Sequence, residues 1–420
     1  MIRFLHAADI HLDSCQRGLE PYEGAPIDSV FQATRKAFVR LVDLALAEKV
    51  DFVAIAGDLY DGDWHDWNSG LFLARELARL HDSQIPVVWI AGNHDAANKM
   101  TKSLRLPERI RMLRCDSPES FELPDVGVVI HGQGFGQQAV TDDLSLRYPA
   151  ARKGWFNVGL LHTSATGREG HEPYAPCKTQ GLLSRGYDYW ALGHVHTREV
   201  LCEETPIIFP GNTQGRHFRE IGPRGCMLVE AEGPGKVRCS FRPLDVFRWD
   251  LAEVDVEGFQ DFDAFLDSTL VAVEKLRSLH QMPLAIRLRA IGSTDLCDRL
   301  VSDPLRWTNE IRVKLKFAGY EDVWLERILL NVHPGSRLQS VPKDGPIGEL
   351  FRILEDYQKN PEALAECVRG WREVQELSRK LPADLQTSDL LLGNPDWLLA
   401  RLAHVKPLLI RRLLHREGRA

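Results

Sequence analysis

Along the first half of the chain, short apolar runs alternate with stretches of helical periodicity. "IRFLHAADIH" (2–11), "DFVAIAGD" (51–58) and "IPVVWIAGNHD" (85–95) read as strands, as do "VGVVIHG", "WFNVGLLHTS", "YDYWALGHVHT" and "PIIFPGN" further on. Between them, Val30, Phe38, Leu41, Val42 and Ala45 fall on one helical face of the segment Ser29 to Lys49, and a second helix is expected across Leu71 to Leu80. The strand runs are continuously apolar rather than alternating, which suits strands buried on both faces of a layered α/β sandwich.

The pattern changes near Leu244. "FRWDLAEVDVEG" reads as a strand, "DFDAFLDSTLVAVEKLRS" as a helix, "PLAIRLRAIG" as a strand, Cys297 to Phe317 as mostly helix and "DVWLERILLNV" as a strand, a separate β-α-β-α-β unit. From Pro346 onward the chain reads as helical, with Ile347, Leu350, Phe351 and Leu354 on one apolar face and an apolar, basic end, "DWLLARLAHVKPLLIRRLLHREGRA", interrupted by Pro407. The divisions expected are therefore 1–240, 244–340 and 345–420.

Polar residues interrupt the apolar runs at one kind of place. Asp9 and His11 end the first strand, Asp58 the second, Asn93, His94 and Asp95 the third, His162 a later one, and His194 with His196 the next. These are carboxyl ends of strands, where ligands gather in α/β sheets. Carboxylate, amide oxygen and imidazole are donors for Mn²⁺, Fe or Zn²⁺ rather than for soft metals. The set exceeds what one ion needs. A pair about 3.5–4 Å apart, sharing a bridging carboxylate, would use it and is a common device for phosphoester cleavage. Each motif alone has a plainer reading: "DIHLDS" as a turn with a surface pair, "GDLYD" as a turn with a capping Asp, "GHVH" as a glycine turn. Their joint occurrence in register with the strands is what the separate readings leave unexplained.

Composition narrows the setting. The 420 residues carry a formal net charge of −7, so a polyanion would have to be held by a local patch. The eight cysteines are scattered without CxxC spacing, which fits a reduced, cytoplasmic protein. The N-terminus meets Arg3, His6 and Asp9 too early for a signal peptide, and no stretch approaches a membrane span.

The motifs "DIH" at 9–11, "GDLYD" at 57–61, "GNHD" at 92–95, "HTS" at 162–164 and "GHVH" at 193–196 resemble the signature of calcineurin-like metallophosphoesterases. With the added "FPGNTQGRHFRE" at 209–220, the chain resembles the SbcD-type DNA repair exonucleases, especially their YhaO-like bacterial branch. The resemblance implies a two-sheet metallophosphoesterase sandwich flanked by helices, a small capping domain and a helical tail. It implies that Asp9, His11, Asp58 and His196 hold one ion, and that Asp58 bridges to a second held by Asn93, His162 and His194. His94 would act on the scissile phosphate as acid or transition-state stabiliser, with Asp95 orienting it. The implied activity is a Mn²⁺-dependent, 3′–5′ exonuclease with possible endonuclease action. Implied partners are DNA, a second copy of the chain, and an SbcC-like SMC-type ATPase bound through the C-terminal helices.

One position departs from the archaeal and eukaryotic relatives, which place a histidine three residues after the bridging aspartate where this chain has Asp61. That residue is read as supporting the site, with His65 in "DGDWHDW" a loop histidine able to reach inward or to stay solvated. Candidate DNA contacts are Lys99, Lys102, Arg105, Arg109, Arg111 and Arg114 after the "GNHD" motif, together with Arg216, His217 and Arg219. Arg287 and Arg289 share one strand face and read either as a solvated face or as DNA contacts. The alternatives in activity are a phosphodiesterase or phosphatase acting on a small molecule or phosphoprotein, and a non-catalytic scaffold. For the tail, the alternatives are self-packing and membrane-surface binding.

Overall fold

The computed structural model describes residues 1–14, 19, 30, 32–62, 67–97, 107–166, 174–334, 345–380, 394, 395, 397–399, 401 and 402. The first part of the chain builds β1 (Ile2–Ala7), α1 (Ala33–Glu48), β2 (Phe52–Ile55), α2 (Trp67–Asp82), β3 (Val87–Trp89) and β4 (Ile110–Met112). It continues with β5 (Glu119–Leu123), β6 (Val128–Gly132), β7 (Phe156–His162), α3 (Thr179–Leu183), β8 (Tyr189–Gly193), β9 (Glu199–Cys202) and β10 (Ile207–Phe209). The long hairpin β11 (Gly225–Gly233) and β12 (Lys236–Pro243) closes it.

These strands form two six-stranded mixed sheets, ordered β12-β11-β1-β2-β3-β4 and β5-β6-β7-β8-β10-β9. Strand β1 runs parallel to β2, β2 to β3 and β3 to β4, while β11 is antiparallel to β1. In the second sheet β6, β7, β8 and β10 run parallel. A core of Phe4, Phe52, Ala54, Val88, Ile130, Val158, Leu160 and Tyr189 lies between the sheets. The opposite face of the first sheet packs Leu5, Val53, Val87 and Trp89 against Phe38, Leu41, Leu73 and Leu77 of α1 and α2. Both faces of the central strands are thus dry, which is why their sequences show no alternation. The continuously apolar segments are strands as expected. The β11–β12 hairpin and the edge strands β4, β5 and β9 are additions that the sequence reading did not make.

A third, three-stranded sheet follows the order β13 (Arg248–Asp255), β14 (Leu284–Thr294), β15 (Val323–Pro334). Between these strands lie α4 (Phe262–His280), α5 (Cys297–Ser302) and α6 (Pro304–Phe317). The helix expected from Cys297 to Phe317 is two helices because Pro304 disfavours helical geometry at Asp303, whose φ of −142° ends the first. The tail forms α7 (Gly345–Lys359), α8 (Pro361–Arg369) and α9 (Arg372–Lys380), separated at Asn360–Pro361 and at Gly370. Leu354, Leu364, Ala365, Val368, Leu398 and Leu402 make a small core of their own.

Contacts group the chain into one unit of 1–252, 270–288 and 308–328, and another of 253–269, 289–307 and 329–420. Trp249 and Trp324, both fully buried, pack with Phe247 and Ala285 in the first unit, so the opening half of each of these strands belongs with the sandwich.

Candidate metal centre

The loops at the carboxyl ends of β1 and β2 run side by side. Asp9 N donates to Gly57 O at 3.0 Å, His11 N to Asp58 O at 3.0 Å and Leu12 N to Leu59 O at 2.9 Å. This zipper sets Asp9, His11 and Asp58 at the same level. The loop after β3 joins them where His94 N donates to Asp58 Oδ1 at 2.9 Å. The loop after β8 joins through His194 N, 3.0 Å from both oxygens of Asp9.

The approach is close enough to need glycine. A Cβ on Gly92 would collide with Asp58 Oδ1, and one on Gly193 with Ala56 O. The backbone also bends into the left-handed region at Asp9 (φ 51°), His11 (46°), Asp58 (51°) and His194 (99°). Such conformations cost non-glycine residues roughly 1–3 kcal/mol each and persist where surroundings over-determine them, characteristically at functional sites.

The donor atoms converge in two groups. Asp9, His11 and His196 form one, and Asp58, His162 and His194 the other, each set lying within 4.8 Å; a third set, His11, Asp58 and His94, lies equally close and shares one residue with each. In the first, His11 Nε2 and His196 Nε2 face each other at 3.2 Å, with Asp58 Oδ2 3.8 Å from His11 Nε2. In the second, Asn93 Oδ1 lies 3.0 Å from His162 Nε2 and 3.2 Å from His194 Nδ1, and Asp58 Oδ2 lies 3.5 Å from His162 Nε2. Asp58 Oδ2 thus faces a member of each group. His162 donates Nδ1–H to Ala56 O at 2.8 Å, which leaves its Nε2 as a lone-pair donor aimed inward. His196 Nδ1 is held at 2.6 Å by Glu220 Oε1, with the same result.

Electrostatics agree with a cation pair. Asp9 and Asp58 are about as buried as core leucines. Burial first, then repulsion from Asp58, raises the Asp9 carboxyl well above its ordinary value, and burial lifts Asp58 to about 6. Burial holds His11 neutral, the form that ligates. Buried carboxylates and inward-facing imidazole lone pairs are what two divalent ions would satisfy, so the residues present fit the group.

His94 is the exception to this burial, with a side chain 35% exposed. Its Nδ1–H donates to Asp61 Oδ1 at 2.8 Å, and that bond, more than any other influence, raises its pKa. Burial alone would raise the Asp61 carboxyl, but the contacts from His11, His94 and Ser14 hold it well below the usual range. The expectation that Asp95 orients His94 is corrected here. The Asp95 carboxylate accepts from the amides of Leu59 (3.1 Å), Tyr60 (2.8 Å) and Gly92 (3.0 Å), so it ties the β2 and β3 loops together, and Asp61 orients His94.

The basic candidates divide. Lys99, Lys102, Arg105 and His65 lie outside the described residues. Arg216 is no surface contact: it is buried against Ser14, Asp61 and His196, and His217 leans on Glu220 at 3.5 Å. Arg287 makes two bonds to Glu326, at 2.7 and 2.6 Å, and stacks over Phe218 at 3.8 Å, which removes it from the DNA contacts considered. Arg289 pairs with Glu253 at 3.3 Å, and Arg111 and Arg114 pair with Glu119 and Asp116. Glu220 was missed; its one signal was the carboxylate closing the "GRHFRE" segment.

Fold and site together define a dinuclear metallophosphoesterase. The calcineurin-like phosphoesterase family matches residues 2–198, and the family described as metallophosphoesterase YhaO, middle domain, matches 249–333. The chain is 34% identical over 382 residues to the uncharacterized metallophosphoesterase YhaO of Bacillus subtilis (strain 168), covering 86% of this chain and 91% of that one. It is 29% identical over 213 residues to the DNA double-strand break repair protein Mre11 of Saccharolobus solfataricus, covering 49% of this chain and 52% of that one. The Mre11 protein of Aeropyrum pernix is 26% identical over 396 residues, covering 86% and 89%. The chain belongs to the calcineurin-like metallophosphoesterases of the YhaO-like branch, related to the Mre11 and SbcD nucleases. Among the described residues no helix is long and apolar enough to cross a membrane.

Proposed function

We propose that the chain hydrolyses phosphodiester bonds in DNA, as a Mn²⁺-dependent nuclease with 3′–5′ exonuclease action and possible endonuclease action. The observation that carries the hydrolytic part is His94: a half-exposed imidazole, oriented by Asp61, beside two groups of convergent carboxylate and imidazole ligands. DNA as substrate draws its support from the Mre11 relatives, which are named as DNA double-strand break repair proteins.

Bound at the two groups, a pair of divalent ions supplies Lewis acidity toward the phosphoryl oxygens and an activated water for attack. The chain's own residues do the rest. Asp9, His11, Asp58 and His196 would hold one ion, and Asp58, Asn93, His162 and His194 the other. Their hard oxygen and imidazole donors suit Mn²⁺. His94 donates Nδ1–H to Asp61 and so presents Nε2 for proton transfer to the leaving sugar oxygen. Asp95 keeps Asn93 and His94 in place by holding the Gly92 amide.

The second reading is a phosphodiesterase for a small molecule. It is favoured by the burial of Arg216, which takes away one expected grip on a polyanion, and by the net charge of −7. Digestion of end-labelled single- and double-stranded DNA in Mn²⁺, with bis-p-nitrophenyl phosphate as control, separates the two. Cleavage of DNA supports the nuclease; cleavage of the small ester alone moves the assignment to the second reading.

An SMC-type ATPase bound through the C-terminal helices, and a homodimer, complete the proposal. Half-exposed Trp371 and Leu377, on and beside α9, support a docking role for that region. Deleting the residues after Gly370, which removes Trp371 and α9 with the rest of the tail, should abolish co-purification with the ATPase, and unchanged co-purification would reject that partner.

A further inference from the structure

We infer that Arg216 is a positioning residue for the hydrolysis, fixing Asp61 and through it the ring of His94. The inference rests on the phosphodiesterase reading above. Asp61 divides its two oxygens. Oδ1 takes the His94 Nδ1–H at 2.8 Å and lies 3.5 Å from His11 Nδ1. Oδ2 accepts from Ser14 Oγ at 2.7 Å and lies 3.6 Å from Arg216 NH1, which itself donates to Ser14 Oγ at 3.2 Å. A carboxylate turns readily about its last torsion, so the aim of Oδ1 depends on what holds Oδ2. Here it is held by the Ser14 hydroxyl and faced by the permanent charge of Arg216.

The guanidinium is anchored in turn. Its side chain is 9% exposed, and the Arg216 amide donates to Glu220 Oε2 at 2.6 Å, on the carboxylate whose other oxygen holds His196. The segment around it is fastened to the third sheet: Trp249 Nε1 donates to Gly215 O at 3.3 Å, and Phe218 lies under the Arg287 guanidinium. The same short segment therefore sets a ligand, His196, and the supporting carboxylate of the proton donor. Charge compensation of the acid-rich centre is the plainer role for Arg216, and it makes a different forecast, because lost compensation should weaken every substrate alike.

The test compares two diesters. The group released from bis-p-nitrophenyl phosphate is a stable phenolate, while the group released from thymidylyl-thymidine is a nucleoside alkoxide that needs the His94 proton. Arg216→Gln should lower the rate ratio, dinucleotide over p-nitrophenyl ester, by about tenfold or more. Arg216→Lys should fall between it and wild type, and Asp61→Asn should show the same bias. The double variant should be no worse than Asp61→Asn alone. Metal content and melting temperature are measured on each, and should show two ions retained; if the glutamine variant does not fold, the lysine variant carries the comparison. An unchanged ratio, or additive losses in the double variant, would overturn the positioning role. Wild-type protein inert to both diesters would instead sink the phosphodiesterase reading, and the inference with it.

Discussion

In one half of the metal centre His162 is aimed by a main-chain oxygen, Ala56 O at 2.8 Å; in the other His196 is aimed by a side chain, Glu220 at 2.6 Å. Ala56 follows directly on β2, inside the sandwich, where no substitution can remove a carbonyl. Glu220 sits on a loop, and its position depends on Asn212 Nδ2 at 2.9 Å and the Arg216 amide at 2.6 Å. Two ligand groups of similar chemistry are thus supported unequally. The half built on Asp9, His11 and His196 is the adjustable one, and the half built on Asn93, His162 and His194 is set by the fold.

The comparison is broken most completely at the residue the halves share. Asp58→Ala should remove both ions and essentially all turnover, read as metal content together with diester hydrolysis; an active variant with one ion would contradict the bridging role. Next in size, His94→Ala should keep both ions and lose about 10²–10⁴ in kcat. Glu220→Gln should weaken the first ion about 10–100-fold and leave the second untouched, seen by metal titration. Equal weakening of both would mean the halves are not independently supported.

Two pH effects sharpen the account. Asp61 raises the His94 pKa, so the alkaline limb of the rate profile should lie above the ordinary histidine range and move down in Asp61→Asn. The smallest effect concerns stability. Burial lifts Asp58 from its ordinary value to about 6, so without metal the folded state binds more protons than the unfolded one between those values, and stability falls as pH rises through that window. Divalent ions relieve the charge. The rise in melting temperature on adding Mn²⁺ should accordingly be larger at pH 7.5 than at pH 5.5, and the opposite order would contradict the placement of Asp58.

What was legible in the sequence were polar residues interrupting apolar runs. Asp9, His11, Asp58, Asn93, His162, His194 and His196 each stand where a buried strand ends, and the structure gathers all of them at one edge. What was not legible depends on distance in three dimensions. Asp95 is adjacent to His94 in sequence, but consecutive residues in a tight turn point apart, and the β2 loop delivers Asp61 instead. Arg216 follows a glycine and reads as surface, because its burial comes from Ser14 and Asp61, far away in the chain. The β11–β12 hairpin, by contrast, left a usable sign in the "EGPGK" turn.

The central claim is that the two unequal halves make one reaction site. Mn²⁺ titrated into metal-free protein, with turnover of bis-p-nitrophenyl phosphate followed at each addition, tests it most directly. Activity should emerge only as the second equivalent binds. Full activity at one equivalent, or none when both are bound, would contradict it.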